Sequence, residues 1–172
     1  WKGFHLGLRA FARANLPDAE YWILGEGVEA EKLQSLAAEL GVAQRVKFWG
    51  RLPREQTLDQ LSQCHILVHS SLHDSGGWVC LEGMAAGRPI LCLDLGGPGV
   101  QVTPETGIKV PAHNPQQAVA DLAKAMILLA QNSELRSRLG KAGRRMVRES
   151  YNWEAKGKNI TKLYGQFQGS RN

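Results

Sequence analysis

The sequence predicts an α/β protein, a parallel sheet covered by helices on both faces in a three-layer sandwich. Three observations predict it. Short apolar runs alternate with amphipathic stretches along nearly the whole chain. Glycine and proline clusters punctuate the junctions between them. A length of 172 residues with 43% hydrophobic content is enough for one good core and too little for two comfortable domains.

The elements follow in order. Gly3 to Asn15 reads as a helix with Phe4, Leu8 and Phe11 on one side, and Glu20 to Leu24 (E-Y-W-I-L) as a strand. Glu29 to Leu40 is a helix that turns Leu33, Leu36, Ala37 and Leu40 inward and stops at Gly41. Arg45 to Trp49 is a strand and Arg54 to Gln63 a short helix. His65 to His69 (H-I-L-V-H) is an apolar run typical of a buried strand, and Ser70 to Gly77 supplies turn chemistry. Val79, Cys80, Leu81, Met84 and Ala85 then fit a helix face, which Gly87 and Pro89 end. Pro89 to Asp94 is a second apolar strand, closed by a turn at Gly96 to Gly99. Gly107 to Val110 is the last strand. Three helices complete the chain: Pro115 to Ala130, Ser133 to Ser150, and Trp153 to Phe167. The last carries an apolar stripe, Ile160, Leu163, Tyr164 and Phe167, that needs a partner surface. Residues 1–167 therefore form one domain, and 168–172 read as a frayed tail.

Composition narrows the function classes. No run approaches the roughly 20 apolar residues of a membrane span, and no opening segment reads as a secretion signal. Cys64, Cys80 and Cys92 lie in or beside apolar runs without metal-ligand spacing, which reads as buried thiols of a reducing, cytoplasmic compartment. The net charge of +5 permits an anionic ligand or an acidic membrane surface. Much of it sits in one helical segment at Lys141, Arg144, Arg145 and Arg148, which reads as a solvated face. That segment has little aromatic interleaving and no base-reading motif, so nucleic acid is not expected as a partner.

The chemistry concentrates in Ser71 to Pro89. Asp74 and Glu82 are eight positions apart, and the pair Gly76-Gly77 opens a helix between them. A helix N-terminus offers unpaired N–H groups to phosphate, and an acid on either side of it can accept hydrogen bonds from hydroxyls. The layout suits a sugar joined through a diphosphate to a ribose. In open α/β sheets such loops lie at the carboxyl ends of strands, where ligands bind. Plainer accounts stand beside these. Asp74 alone would serve as a helix cap and Glu82 as a surface residue, although its neighbours Leu81 and Met84 look buried. Trp78 reads equally as a packing residue or a sugar platform. His65 and His69 share a strand face with no third ligand evident, so no metal is expected. A different enzyme class is suggested by Gly25-x-Gly27-x-x-Ala30, a loose dinucleotide fingerprint of NAD(P) oxidoreductases. That reading expects an acid about 20 residues on. Phe48, Trp49 and Gly50 stand there, followed by Arg51, which would suit a phosphorylated ribose. A non-catalytic nucleotide-sugar-binding module is the third reading.

Together these motifs resemble a known family. K-G at Lys2, G-E-G at Gly25, V-K-F-W-G at Val46, the two-acid stretch Asp74 to Pro89, D-L-G-G at Asp94, T-G-x-x-V at Thr106 and Y-N-W at Tyr151 stand in its order and spacing. The chain is similar, over nearly its whole length, to the C-terminal, nucleotide-sugar-binding domain of group-four retaining glycosyltransferases. The resemblance implies a Rossmann-like domain, one half of a GT-B fold. It implies transfer of a hexosyl unit from a UDP-, GDP- or ADP-linked donor to an acceptor hydroxyl with retention, without metal or other cofactor. It assigns Asp74 to the sugar hydroxyls and the amides of Gly77, Trp78 and Val79 to sugar and phosphate. Glu82 takes the ribose, Lys2 the departing diphosphate, and Arg51 and Leu52 the base. The acceptor, a glycan, lipid-linked sugar or small molecule, would be met through an N-terminal domain outside this chain, with peripheral membrane contact at the inner face as an option. The family's first strand, ending in Gly-Arg, lies inside the sheet and precedes Trp1. A chain without these parts is expected to bind nucleotide weakly and to transfer no sugar. Three residues depart from the pattern: Asp74 for the usual Glu, Gly76 for Phe and Ser70 for Pro. These bear on donor-sugar selection.

Overall fold

The computed structural model describes residues 1–169, with side chains described as far as Gln166. The chain runs α1 (Phe4–Ala14), β1 (Tyr21–Leu24), α2 (Ala30–Glu39), a 3₁₀ turn (Ala43–Arg45), β2 (Val46–Gly50) and α3 (Arg54–Gln63). It continues β3 (Leu67–His69), α4 (Trp78–Ala85), β4 (Ile90–Leu93), α5 (Gly96–Gln101) and β5 (Gly107–Val110). It closes with α6 (Pro115–Gln131), α7 (Ser133–Ser150) and α8 (Trp153–Gly169). Every strand pairing is parallel.

The fold class is the expected one, but the sheet is divided. β1 pairs with β2, and β3, β4 and β5 form a second group in that order. β1 and β3 each keep one unpaired edge, and residues of both line one cavity of about 1750 Å³.

β4 is the centre of the core because all four of its residues are buried. Leu91 and Leu93 face a cluster with Leu8, Phe11, Leu122, Met126 and Leu129, from α1 and α6. Ile90 and Cys92 face a second cluster with Cys80, Leu81 and Met84 of α4 and Val102. This period-two alternation is what a strand between two helical layers requires. Burial pushes the Cys92 thiol up to about 12 and raises those of Cys80 and Cys64, so all three free cysteines are held as thiols.

Two local expectations are corrected. The G-G-P-G stretch, expected to be a turn, is the start of helix α5. Pro98 stands in the first turn, where its missing N–H has no intrahelical acceptor to lose. The third strand starts at Leu67, two residues later than expected. The Cys64 carbonyl accepts from the Arg88 guanidinium at 2.8 Å instead of joining a ladder, and Leu67 N–H bonds Pro89 O to begin the pairing.

α7 buries Leu139, Gly140 and Gly143, and leaves Lys141, Arg144, Arg145 and Arg148 exposed, as a solvated face should. On α8, Ile160, Leu163 and Tyr164 are exposed, and the Phe167 side chain lies outside the described residues. Helix α8 runs through Gly169, so Gln168 and Gly169 are helical where a frayed tail was expected; residues 170–172 lie outside the described residues. Among the described residues, no helix is long and apolar enough to cross a membrane.

Candidate functional site

The site forms where β3 ends and α4 begins. Gly77 is the N-cap of α4 and has φ +55, a left-handed conformation that glycine adopts without strain. A Cβ there would also lie 2.5 Å from Gln101 Oε1 and 3.1 Å from Pro98. Gln101 Nε2 donates to Gly76 O at 2.7 Å, and Gly97 N–H donates to Asp74 O at 2.9 Å. Helix α5 thus braces the glycine turn from behind, which is a role of the D-L-G-G stretch that the sequence alone did not disclose.

Asp74 is the best-held side chain of this turn. Its Oδ1 accepts from the amides of Gly76 at 3.2 Å and Gly77 at 2.8 Å, and its Oδ2 is 2.9 Å from Lys2 Nζ. The Gly77 amide first, then the Lys2 ammonium, hold the Asp74 carboxyl down at about 2. It is therefore a fixed anion at any physiological pH. Its bonds go to the turn before α4 and not to the second or third helical amide, so it is not a conventional helix cap. The amides of Trp78 and Val79, the first two of α4, have no carbonyl to bond within the helix. They remain available to a ligand.

Glu82 stands one turn into α4 with 26% of its side chain exposed, and its Oε1 is 2.8 Å from Arg54 Nη1. It lines the 1750 Å³ cavity together with Lys2, Gly3, His69 and Val79. Glu82 is thus half-buried on the wall that Lys2 shares, not out in bulk solvent. Arg54, the first residue of α3, is a partner that the sequence reading missed. Only its position after L-P at a helix start marked it.

Other expected residues lie elsewhere. Arg51 is largely exposed, with Nη1 3.4 Å from Glu26 Oε1 in the turn after β1. Leu52 is half-buried, and its carbonyl is 3.5 Å from Thr57 Oγ1. Neither joins the wall formed by Lys2, Val79 and Glu82. Trp78 is not a packing residue: it is 71% exposed. Its indole stands over Gly76, where a Cβ would meet Cδ1 and Nε1 at 3.0 Å. His69 faces Asp74, with Nε2 3.3 Å from Oδ2, and His73 stacks edge-on with Trp1 at 5.5 Å. Among the described residues, no three His, Cys, Asp or Glu side chains gather as a metal-ligand set.

Comparison with known proteins places this geometry. Residues 1–146 match the family described as Glycosyl transferases group 1. The chain is 33% identical over 171 residues to the lipopolysaccharide core biosynthesis glycosyltransferase LpsE of Rhizobium meliloti, covering 99% of this chain and 47% of that protein. It is 32% identical over 154 residues to a GDP-mannose-dependent monoacylated alpha-(1-6)-phosphatidylinositol monomannoside mannosyltransferase of Corynebacterium glutamicum, covering 86% and 39%. Among solved structures it resembles sucrose-phosphate synthase from Thermosynechococcus elongatus, with TM-score 0.78 and 27% identity, covering 98% of this chain and 43% of that one. It also resembles Anabaena HepE in complex with UDP and glucose, with TM-score 0.81 and 20% identity, covering 96% and 45%. The chain therefore spans less than half the length of these relatives, and its fold is one half of a GT-B glycosyltransferase. With the family match extending over most of its residues, the chain belongs to the glycosyl transferases group 1 family.

Proposed function

We propose that this chain is the donor-binding half of a glycosyltransferase that moves a hexosyl unit from a nucleotide-diphosphate sugar to an acceptor hydroxyl. The observation that carries the reading is the Asp74 carboxylate, pinned by the Gly76 and Gly77 amides beside Lys2 at the open N-terminus of α4. A ligand with hydroxyls at one end and phosphates next to them suits that sequence of groups. Asp74 accepts from the sugar hydroxyls. The amides of Trp78 and Val79 and the Lys2 ammonium receive the diphosphate, whose charge grows as the glycosidic bond breaks; the Gly77 amide, expected to join them, is already bonded to Asp74 Oδ1. Glu82, shaped by Arg54, accepts from the ribose hydroxyls. Arg51 and Leu52, on the loop after β2, meet the base. The Lys2 ammonium and the oriented amides do the work of a divalent ion, so transfer proceeds without metal. The acceptor attacks the face from which the diphosphate departs, through an oxocarbenium-like state, and configuration is retained. The names of the relatives support a sugar-nucleotide donor: one is GDP-mannose-dependent and another is in complex with UDP and glucose.

The acceptor and the rest of the catalytic cleft belong, in this reading, to a second domain. The divided sheet supports the same view. A doubly wound sheet has its first strand at the centre, flanked by the second and the fourth. β1 and β3 leave that one place open, above a cavity lined by Tyr21, Ile23, Ile66 and Val68. An extended apolar segment of a longer polypeptide fills it. Amide exchange at Tyr21–Leu24 and Leu67–His69 is then fast in this chain. It slows by at least about tenfold in a polypeptide extended on the Trp1 side. Equal exchange in the two would remove the segment from the account.

The function itself is tested by a thermal-shift panel of UDP, GDP, ADP and their sugars, with NAD and NADP as controls. A ligand at 100 times its Kd stabilises the folded state by about 2.7 kcal/mol. We expect one nucleotide and its sugar to raise Tm. A shift with NADP alone overturns the reading in favour of the dinucleotide alternative.

A further inference from the structure

We infer that His69 is a positioning residue for Asp74, holding Oδ2 toward the donor sugar when Lys2 engages the diphosphate. The inference rests on the reading that Asp74 receives sugar hydroxyls. It starts from a side chain that the proposed chemistry does not otherwise use. His69 is the last residue of β3, at the carboxyl end of the strand, and only 9% of it is exposed. Its Nε2 is sealed from solvent and has no hydrogen-bond partner in line. A buried polar atom in that state needs an explanation. The Asp74 Oδ2 atom lies 3.3 Å away, and 15% of the Asp74 side chain is exposed.

The division of labour at the carboxylate makes the explanation specific. Oδ1 is fully used by two backbone amides. Oδ2 has Lys2 on one side at 2.9 Å and His69 on the other. Lys2 is flexible, with 58% of its side chain exposed, and a diphosphate is a stronger attractor than one carboxylate. Once Lys2 turns to the diphosphate, His69 is the donor that remains beside Oδ2. A rotation that brings Nε2–H into line completes that bond. Burial lowers the His69 pKa, against the pull of the Asp74 charge, and so favours the neutral imidazole. A neutral ring with its proton on Nε2 donates to Oδ2 without cancelling the anion's charge, so the carboxylate stays a full acceptor for hydroxyls.

The test compares binding of UDP-glucose, GDP-mannose and ADP-glucose with binding of the matching nucleoside diphosphate. The proteins are the wild type, His69→Leu, His69→Gln and Asp74→Ala. His69→Leu keeps the volume and removes the donor. We expect about a tenfold loss of affinity for the nucleotide sugar, less than about a twofold loss for the diphosphate, and an unchanged or higher Tm. His69→Gln restores a donor and recovers the affinity to within about threefold of wild type. Asp74→Ala is expected to abolish the preference for sugar over diphosphate. If Asp74→Ala does so and His69→Leu does not, the inference fails while the reading of Asp74 survives. Equal losses for sugar and diphosphate in His69→Leu, or a fall in Tm that tracks them, make His69 a structural residue and overturn it. Binding of none of the three sugars, or a preference kept by Asp74→Ala, overturns the reading beneath it.

Discussion

Replacing Asp74 by alanine is expected to lower sugar transfer by the complete protein at least about tenfold, while costing the fold only about 1 kcal/mol. The two effects come from different atoms. The outward lone pair of Oδ2 accepts a hydroxyl of the sugar, and a charge-assisted bond of this kind is worth about 1.5–3 kcal/mol. Its loss from the transition state amounts to a factor of about 10 to 10². The inward contacts are the bonds from the Gly76 and Gly77 amides, at 3.2 and 2.8 Å, which organise the turn. Losing one cap-like acceptor typically costs about 1 kcal/mol. Asp74→Asn separates them, because an amide oxygen still accepts from the two backbone amides but carries no charge for Lys2 or the sugar. Transfer should fall nearly as far as in the alanine variant, with Tm close to wild type. If Asp74→Asn and Asp74→Ala both retain full transfer, the acid has only a structural role. Asp74→Glu, the residue usual in the family, adds a methylene at a site closed by Lys2 and His69, and shifts donor-sugar preference more than nucleotide affinity.

A large stability effect is expected at Gly140. A Cβ there would lie 2.0 Å from the Gly87 carbonyl oxygen and 2.9 Å from its carbon, both backbone atoms that cannot rotate away. Helix α7 must lift from the end of α4, opening the cluster of Cys80, Met84, Ile90 and Cys92 behind it. Overpacking of this kind costs about 3 kcal/mol. Gly140→Ala should therefore lower the urea midpoint without changing its slope, and lower Tm by roughly 6–12 °C. Gly157 supplies the contrast. It is also a helical glycine, but a Cβ there meets nothing within 4 Å. Gly157→Ala should be neutral or stabilising by up to about 1 kcal/mol. If the two substitutions had the same effect, helix propensity would be deciding the outcome and the α4–α7 contact would not. Because α4 carries the open amides of the site, Gly140→Ala should also weaken donor binding.

Much of the fold was legible because its elements obey simple periodicities. α3, β5 and α7 fall on the expected residues, since each combines a regular apolar pattern with a clear stop. The site was legible for a different reason. A glycine pair between two acids at a strand-to-helix junction has a chemical meaning that does not depend on packing detail. What stayed hidden depends on contacts between distant segments. α5 looked like a turn, because Gly96, Gly97 and Gly99 are poor helix formers; Gly96 and Gly97 let α5 approach Asp74 and Ser75, and Gly99 lies against Asp94. The start of β3 is set by Arg88, which holds the carbonyl of Cys64 twenty-four residues before it. His69 drew notice as a metal ligand by its spacing from His65, whereas its actual neighbour is Asp74. Arg54 has nothing in its own segment to mark it, because its partner Glu82 is twenty-eight residues further along the chain. The division of the sheet has no local signature at all, because β1 and β3 each read as sound strands.

In the proposed function, the turn from Asp74 into α4 cradles a sugar diphosphate nucleoside. Backbone amide resonances followed by NMR during titration with UDP-glucose, GDP-mannose and ADP-glucose test it most directly. One of the three should move the amides of Gly76, Gly77, Trp78 and Val79 most, with Glu82 following. Shifts centred instead on Gly25 to Gly27 after β1, with the α4 amides unmoved, would contradict it.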